Sequence, residues 1–360
     1  MSNELPYKGR LLSLDVYRGI TMVFMVSAGF GLSSLADNPA WRWLASQVEH
    51  AAWEGFTAWD LIQPSFIFIV GVAMPFAFAV RRARGQAYGE MLKHVFKRSL
   101  TLLLIGMAIV CIHRNAVQIC LTTVLQQIAI AYFFAFFVLG RGLKVQLSAA
   151  LGILVLHWAL FQLWPGVGPE GAWAKNANFG SALDYWWLGR FDRGGYLSIN
   201  ALSSISTVIF GVMAGELLIR GKSEIGKVWW LFLAGIAFLI VGIAFHPLIP
   251  IVKRIWTPSW TIFSAGWALI FLAICHWVIE VGNKRKWCFI FKVVGMNSIT
   301  IYVFAQMMRG SINSWLHVFT RGFLVPLGDI GVIIQSLLVL AAHWYLVYWL
   351  YQREIFLKVG

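Results

Sequence analysis

TAWDLIQPSFIFIVGVAMPFAFAV, residues 57–80, decides the fold. Beyond Asp60 no charge interrupts it for twenty residues, and a helix of that length rises about 30 Å, the thickness of a bilayer's hydrocarbon core. The segment reads as a membrane span. Working outward from it, apolar runs of spanning length recur at about 11–33, 98–113, 117–139, 145–164, 197–219, 228–248, 258–281, 287–308 and 330–351. With 57–80 they predict an all-α, polytopic transmembrane helix bundle of about ten spanning helices. The run 98–113 is short and the run 287–308 carries polar residues, so these are the softest boundaries. No repeat, low-complexity tract or linker divides the chain, which reads as a single domain over 1–360.

Composition agrees. Of 360 residues, 59% are hydrophobic and 12% charged, about half the charged share of a soluble domain. Lipid is therefore the solvent for most of the chain. The net charge of +14 does not point to nucleic acid, because the basic residues sit in short loops between apolar runs rather than along a stripe with exposed aromatics. With the N-terminus in the cytoplasm, 18 Lys and Arg fall on that side and 9 on the other, with Arg18 and Lys292 inside helices. This bias places both termini in the cytoplasm. Segments 34–56, 165–196 and 309–329 then face the other side. Their tryptophans read mainly as an interfacial belt, with a sugar-stacking platform open for one or two of them. Cys111, Cys120, Cys275 and Cys288 form no CxxC pair and read as small buried hydrophobes.

Several residues are too costly at membrane depth to be ignored. Asp15 and Arg18 share a helix face at i, i+3, as an ion pair that orients the first span or as ligands. The richest stretch is HAAWEGFTAWDLIQP, residues 50–64, with His50, Trp53, Glu54, Thr57, Asp60 and a helix-interrupting Pro64. His50 is the candidate base or nucleophile, since an imidazole takes up a proton near neutral pH; Asp60 is placed to orient it or to bind an amine. A helix-capping histidine beside an ion pair would leave the same pattern. In FHPLIPIVKRIWTPSW, residues 245–260, three prolines and two cations suggest a rigid loop in which Lys253 and Arg254 attract an anion or are simply solvated; Trp256 and Ser259 follow. Asn297 and Ser298 lie inside an apolar run and either join helices or line a cavity. The remaining histidines show no metal-ligand spacing, and no phosphate-cradling loop is present.

The stretches LLSLDVYRGITMVFMV (11–26), HAAWEGFTAWDLIQPSFIFIVG (50–71), KRSLTLLLIG (97–106), VLQQIAIAYF (124–133), IPIVKRIWTPSW (249–260) and GMNSITIYV (295–303) recur in this order. Together they resemble the heparan-α-glucosaminide N-acetyltransferase family and its bacterial relatives. The resemblance implies an acetyl-CoA-dependent acyltransferase that moves acetyl from cytoplasmic acetyl-CoA to the amine of a glucosamine-type sugar across the membrane. Its catalytic histidine falls on His50 and its downstream acid on Asp60, while the basic loop 81–98 and the polar residues above are candidates for holding donor or acceptor. An N-acetylglucosamine permease and an O-acyltransferase acting on a cell-envelope glycan are the rival readings. The oligomeric state is open, a homodimer included.

Overall fold

The computed structural model describes residues 11–192, 194–221 and 223–356. Lys8, Arg10, Arg193, Lys222 and Lys358, which entered the charge count, and both termini lie outside these residues. All regular structure in the described chain is helical. The helices are α1 (Leu12–Val26), α2 (Arg42–Gln47), α3 (Ile62–Ala83), α4 (Tyr88–Arg114), α5 (Val124–Phe136), α6 (Leu143–Gln162) and α7 (Phe179–Leu188). Then follow α8 (Asn200–Arg220), α9 (Glu224–Phe245), α10 (Pro258–His276), α11 (Cys288–Met296), α12 (Ser298–Leu324) and α13 (Asp329–Gln352). Among the described residues seven helices are long and apolar enough to cross a membrane, and nine if each of two bent pairs counts as one. The remaining expected run, 117–139, forms the shorter α5. The chain is an integral membrane protein.

The two bent pairs account for the difference between seven and nine, and the short α5 for that between nine and ten. At the end of α1 the helix turns by 50° into a 3-10 segment, Ala28–Asp37, where Ala28, Gly29, Phe30 and Gly31 all have positive φ. Glycine adopts that conformation without strain, and at Gly31 a Cβ would also press on the Val332 carbonyl of α13. Between α11 and α12 the axis bends by 80° at Asn297. Two expectations are corrected here. Residues 309–324 are not a loop but the continuation of α12, because the helix carries Arg309 and Arg321 without interruption. Pro64 does not interrupt a helix: it sits in the first turn of α3, where its missing N–H costs nothing.

Close packing in a bilayer relies on small residues at the crossings. Gly71 of α3 lies against the Val208 carbonyl and Gly211 of α8 against the Phe68 carbonyl, each leaving no space for a Cβ. Gly19 and Gly295 join α1 to α11 in the same way. These crossings set α3 and α8 at the centre, where Ile67, Phe68, Ile69, Val72, Val208 and Val212 are fully buried. The four cysteines are unpaired.

Candidate active site

The connections 27–61, 115–123, 163–199 and 246–257 meet at one end of the bundle, and His50 is there. The chain enters α3 through a capping box in which the Thr57 N–H donates to Asp60 Oδ2 at 3.0 Å. Asp60 also accepts from the Ala51 N–H at 3.1 Å, and its Oδ1 lies 2.7 Å from His50 Nδ1. A carboxylate only accepts, so that short contact puts the imidazole proton on Nδ1. Nε2 then carries the lone pair, and it has no hydrogen-bond partner among the described residues. The His50 side chain is 37% exposed and that of Asp60 1%, so the acid is the buried anchor and the imidazole the accessible edge.

A third group completes the cluster. Lys253 Nζ lies 3.2 Å from Asp60 Oδ1 and 3.0 Å from His50 Nδ1, with its side chain 5% exposed. It is neither a solvated loop cation nor an anion trap, as the sequence suggested. It is buried and spent on Asp60, with Asp60 held between two donors. Burial pushes the Lys253 ammonium down to about 8, against the pull of the Asp60 carboxylate, with Arg254 adding to the fall. Arg254 ties the site together by donating to the Gly194 and Ala51 carbonyls, its guanidinium 5.4 Å from the Tyr196 ring centroid. Tyr196 packs edge-on to His50 at 6.5 Å, and burial raises its phenol above the ordinary range, keeping it a neutral donor.

Beside this cluster opens a cavity of about 540 Å³ lined by Tyr196, Thr123, Arg114, Arg190, Asp184 and Asp192 among others. Its walls mix these polar groups with Val110, Ile119, Leu188 and Phe191, and Tyr196 is the wall residue that also packs against His50. None of these residues was singled out from the sequence. The charges of segment 176–196 were the available signal, and its tryptophans drew the attention instead.

A second cavity, about 390 Å³, lies in the opposite half between α1, α3, α4, α5 and α11. Its wall is apolar except for Arg18, Arg98, Tyr132 and Ser298. Arg98 lies 5.0 Å from the Tyr132 ring centroid, and its Nε is buried without a partner. Two guanidiniums in an apolar hollow suit a ligand with an anionic end and a long, less polar arm.

The other candidates divide by place. Asp15 pairs with Arg18 at 3.5 Å, far from His50. Trp53 donates to the Trp173 carbonyl at 3.1 Å and supports the loop over the site, while Glu54 is exposed beside it. Trp256 is buried in the core with a positive φ, and Ser259 is bound to Thr257 and the Pro250 carbonyl; both shape the turn that carries Lys253. Asn297 donates to the Ile355 carbonyl at 3.2 Å and serves the α11–α12 bend, with Ser298 on the Arg98-side cavity. Neither approaches His50. Among the described residues no three His, Cys, Asp or Glu side chains gather as metal ligands would.

Against known proteins, residues 10–249 match the model of the family described as heparan-alpha-glucosaminide N-acetyltransferase, catalytic. The heparan-alpha-glucosaminide N-acetyltransferase of Homo sapiens is 26% identical over 360 residues, covering 82% of this chain and 52% of that protein. The protein of the same name from Mus musculus is 24% identical over 418 residues, covering 97% of this chain and 60% of its own length. The chain thus spans between half and three-fifths of the curated relatives it matches.

Proposed function

The chain belongs to the heparan-alpha-glucosaminide N-acetyltransferase catalytic family, and from that premise we propose that it is a membrane-embedded acetyltransferase with acetyl-CoA as donor and a glucosamine-type amine as acceptor. The observation that carries this reading is the free Nε2 of His50, set by an imidazole whose other nitrogen is held by the buried Asp60. On this reading the Arg98-side half, where Lys and Arg are in excess, faces the cytoplasm of a bacterial inner membrane and His50 faces the far side.

On this reading acetyl-CoA enters from the Arg98 side, where Arg18 and Arg98 hold its anionic end and the apolar wall takes its arm. The sugar occupies the polar cavity, with Asp184 and Asp192 facing its amine and hydroxyls. The amine nitrogen attacks the thioester carbonyl, the new C–N bond forms, and the C–S bond breaks. His50 Nε2 takes the proton from the nitrogen and returns it to the departing thiolate, so CoA leaves as the thiol. Asp60 fixes the tautomer that makes Nε2 the acceptor and stabilises the transient imidazolium; Lys253 offsets the Asp60 charge while the imidazole is neutral.

Proteoliposomes loaded with acetyl-CoA and supplied outside with glucosamine test this. Wild-type protein is expected to produce N-acetylglucosamine and CoA in equal amounts, and His50→Ala to lose about 10²- to 10⁴-fold in rate. Unimpaired transfer by a folded His50→Ala protein excludes the imidazole from the chemistry.

A further inference from the structure

The two cavities lie on either side of a wall, and α4 and the entry into α5 line both of them. On α4, Leu102 lines the Arg98-side cavity and Val110 the His50-side one, with Gly106 one turn from each on the same face. At the start of α5, Thr122 and Thr123 line the His50-side cavity, while Leu125 and Ile128 line the other. On α3, Phe66 and Val70 line the Arg98-side cavity, and Gln63 lies about one turn before Phe66. Gln126 stands at this changeover, its Cγ 2.9 Å from where a Cβ on Gly106 would lie.

Gln126 is fully buried. Its Oε1 accepts from the Thr123 N–H at 3.0 Å and the Thr123 hydroxyl at 2.9 Å, closing the capping box of α5. A backbone N–H only donates, so this contact fixes which end of the amide is oxygen. The other end, Nε2, has no hydrogen-bond partner among the described residues. The adjacent Gln127 is satisfied: its Oε1 accepts from Gln63 Nε2 at 2.9 Å and from the Ser204 hydroxyl at 3.3 Å. A buried amide N–H with nothing to donate to lowers stability, and a carbonyl brought into the wall would relieve it.

We propose that Gln126 binds the donor, its Nε2 donating to a carbonyl of the amide-bearing arm of an acyl thioester where that arm passes from the Arg98-side cavity towards His50. Beside it, Gln127, Gln63 and Ser204 are already hydrogen-bonded to one another, so Gln126 is the amide with an N–H to offer. The assignment rests on the acetyl-transfer reading and adds to it a recognition of the arm rather than of the acetyl group: thioesters whose arm lacks amides gain nothing from this contact.

Gln126→Glu tests it, because the capping acceptor stays and the NH₂ is removed; Gln126→Met removes both. With acetyl-CoA, both variants are expected to show KM raised about three- to tenfold and kcat changed less than about twofold. Desulfo-CoA binding should weaken by the same factor, with acceptor KM unchanged. With S-ethyl thioacetate, which has no amide, variants and wild type should coincide; a glutamine of purely structural role would shift both thioesters alike. In the wild-type chain, desulfo-CoA is expected to shift the side-chain amide resonance of Gln126, a readout that needs no variant to fold. Wild-type transfer with an unmoved amide resonance, or with folded variants of unchanged acetyl-CoA KM, overturns the assignment and leaves the transfer reading standing. A wild-type protein that neither transfers acetyl nor binds desulfo-CoA overturns the reading and the assignment with it.

Discussion

Each end of the bundle holds an imidazole, a carboxylate and a lysine in contact, and the two clusters are arranged in opposite senses. At one end His50 Nδ1 meets Asp60 at 2.7 Å and Lys253 meets the same acid at 3.2 Å. At the other, His276 Nε2 meets Glu224 at 2.7 Å, and Lys227 meets that acid at 2.7 Å. In the first cluster the acid is 1% exposed and the imidazole 37%; in the second the acid is 51% exposed and the imidazole 1%. The second nitrogen of His276 lies 3.4 Å from the Ser13 hydroxyl, so that imidazole joins α1, α9 and α10 and has nothing left to offer a substrate. His50 keeps one nitrogen free. The same three residue types leave an imidazole fully occupied or with one nitrogen accessible according to which of them burial removes from water.

The largest expected effect breaks the comparison if it fails. His50→Ala should abolish acetyl transfer by about 10²- to 10⁴-fold while shifting the melting temperature little, its ring being partly exposed. His276→Ala should do the reverse: turnover stays within about tenfold, while stability falls by about 1–3 kcal/mol as the Ser13 hydroxyl and the space around the ring lose their partner. Initial rates and thermal unfolding in the same detergent read both. A folded His276→Ala protein as inactive as His50→Ala would show that burial does not separate the two clusters.

Next in size is the contrast between the acids. Asp60→Asn leaves the Lys253 ammonium buried without its counter-charge and should cost about 3–5 kcal/mol, besides slowing transfer through loss of the fixed tautomer. Glu224→Gln alters an acid half in water and should cost about 0–1 kcal/mol. Equal losses from the two substitutions would contradict the burial difference on which the comparison stands.

How much of this was legible in the sequence follows from the range over which each signal acts. Hydropathy is a local signal, and the run 57–80 became a candidate span, Ala58–Ala83, almost unchanged. It failed at 309–329, where Arg309, Asn313 and Arg321 lower the mean although the α12 hydrogen-bond ladder continues through them. His50 and Asp60 are ten residues apart, and the turn between them is short enough for the pattern itself to suggest their contact. Lys253 is 203 residues from His50, and a lysine in a loop looks the same from its neighbours whether the loop is solvated or docked. The polar signals at Trp256, Ser259 and Asn297 were real, but turns and a helix bend use them. Gln126 and Gln127 sat unremarked inside VLQQIAIAYF because only the positions of the two cavities separate a satisfied amide from an orphaned one.

The smallest expected effect sharpens the comparison through a single proton. In the unfolded chain a lysine titrates near 10.4, whereas burial holds Lys253 at about 8 in the folded protein. Between those values the unfolded chain binds a proton that the folded chain has released. Stability contributed by this residue therefore rises with pH across that window and is flat below about 8. All other titrating groups are shared with Lys253→Met, so the difference between the two unfolding curves isolates this one. From pH 8 to pH 10 the wild-type melting temperature should gain on that of Lys253→Met, the pull of Asp60 being already contained in the depressed folded value. Parallel curves for wild type and Lys253→Met over that interval would mean that the Lys253 ammonium is better hydrated than its 5% exposure implies.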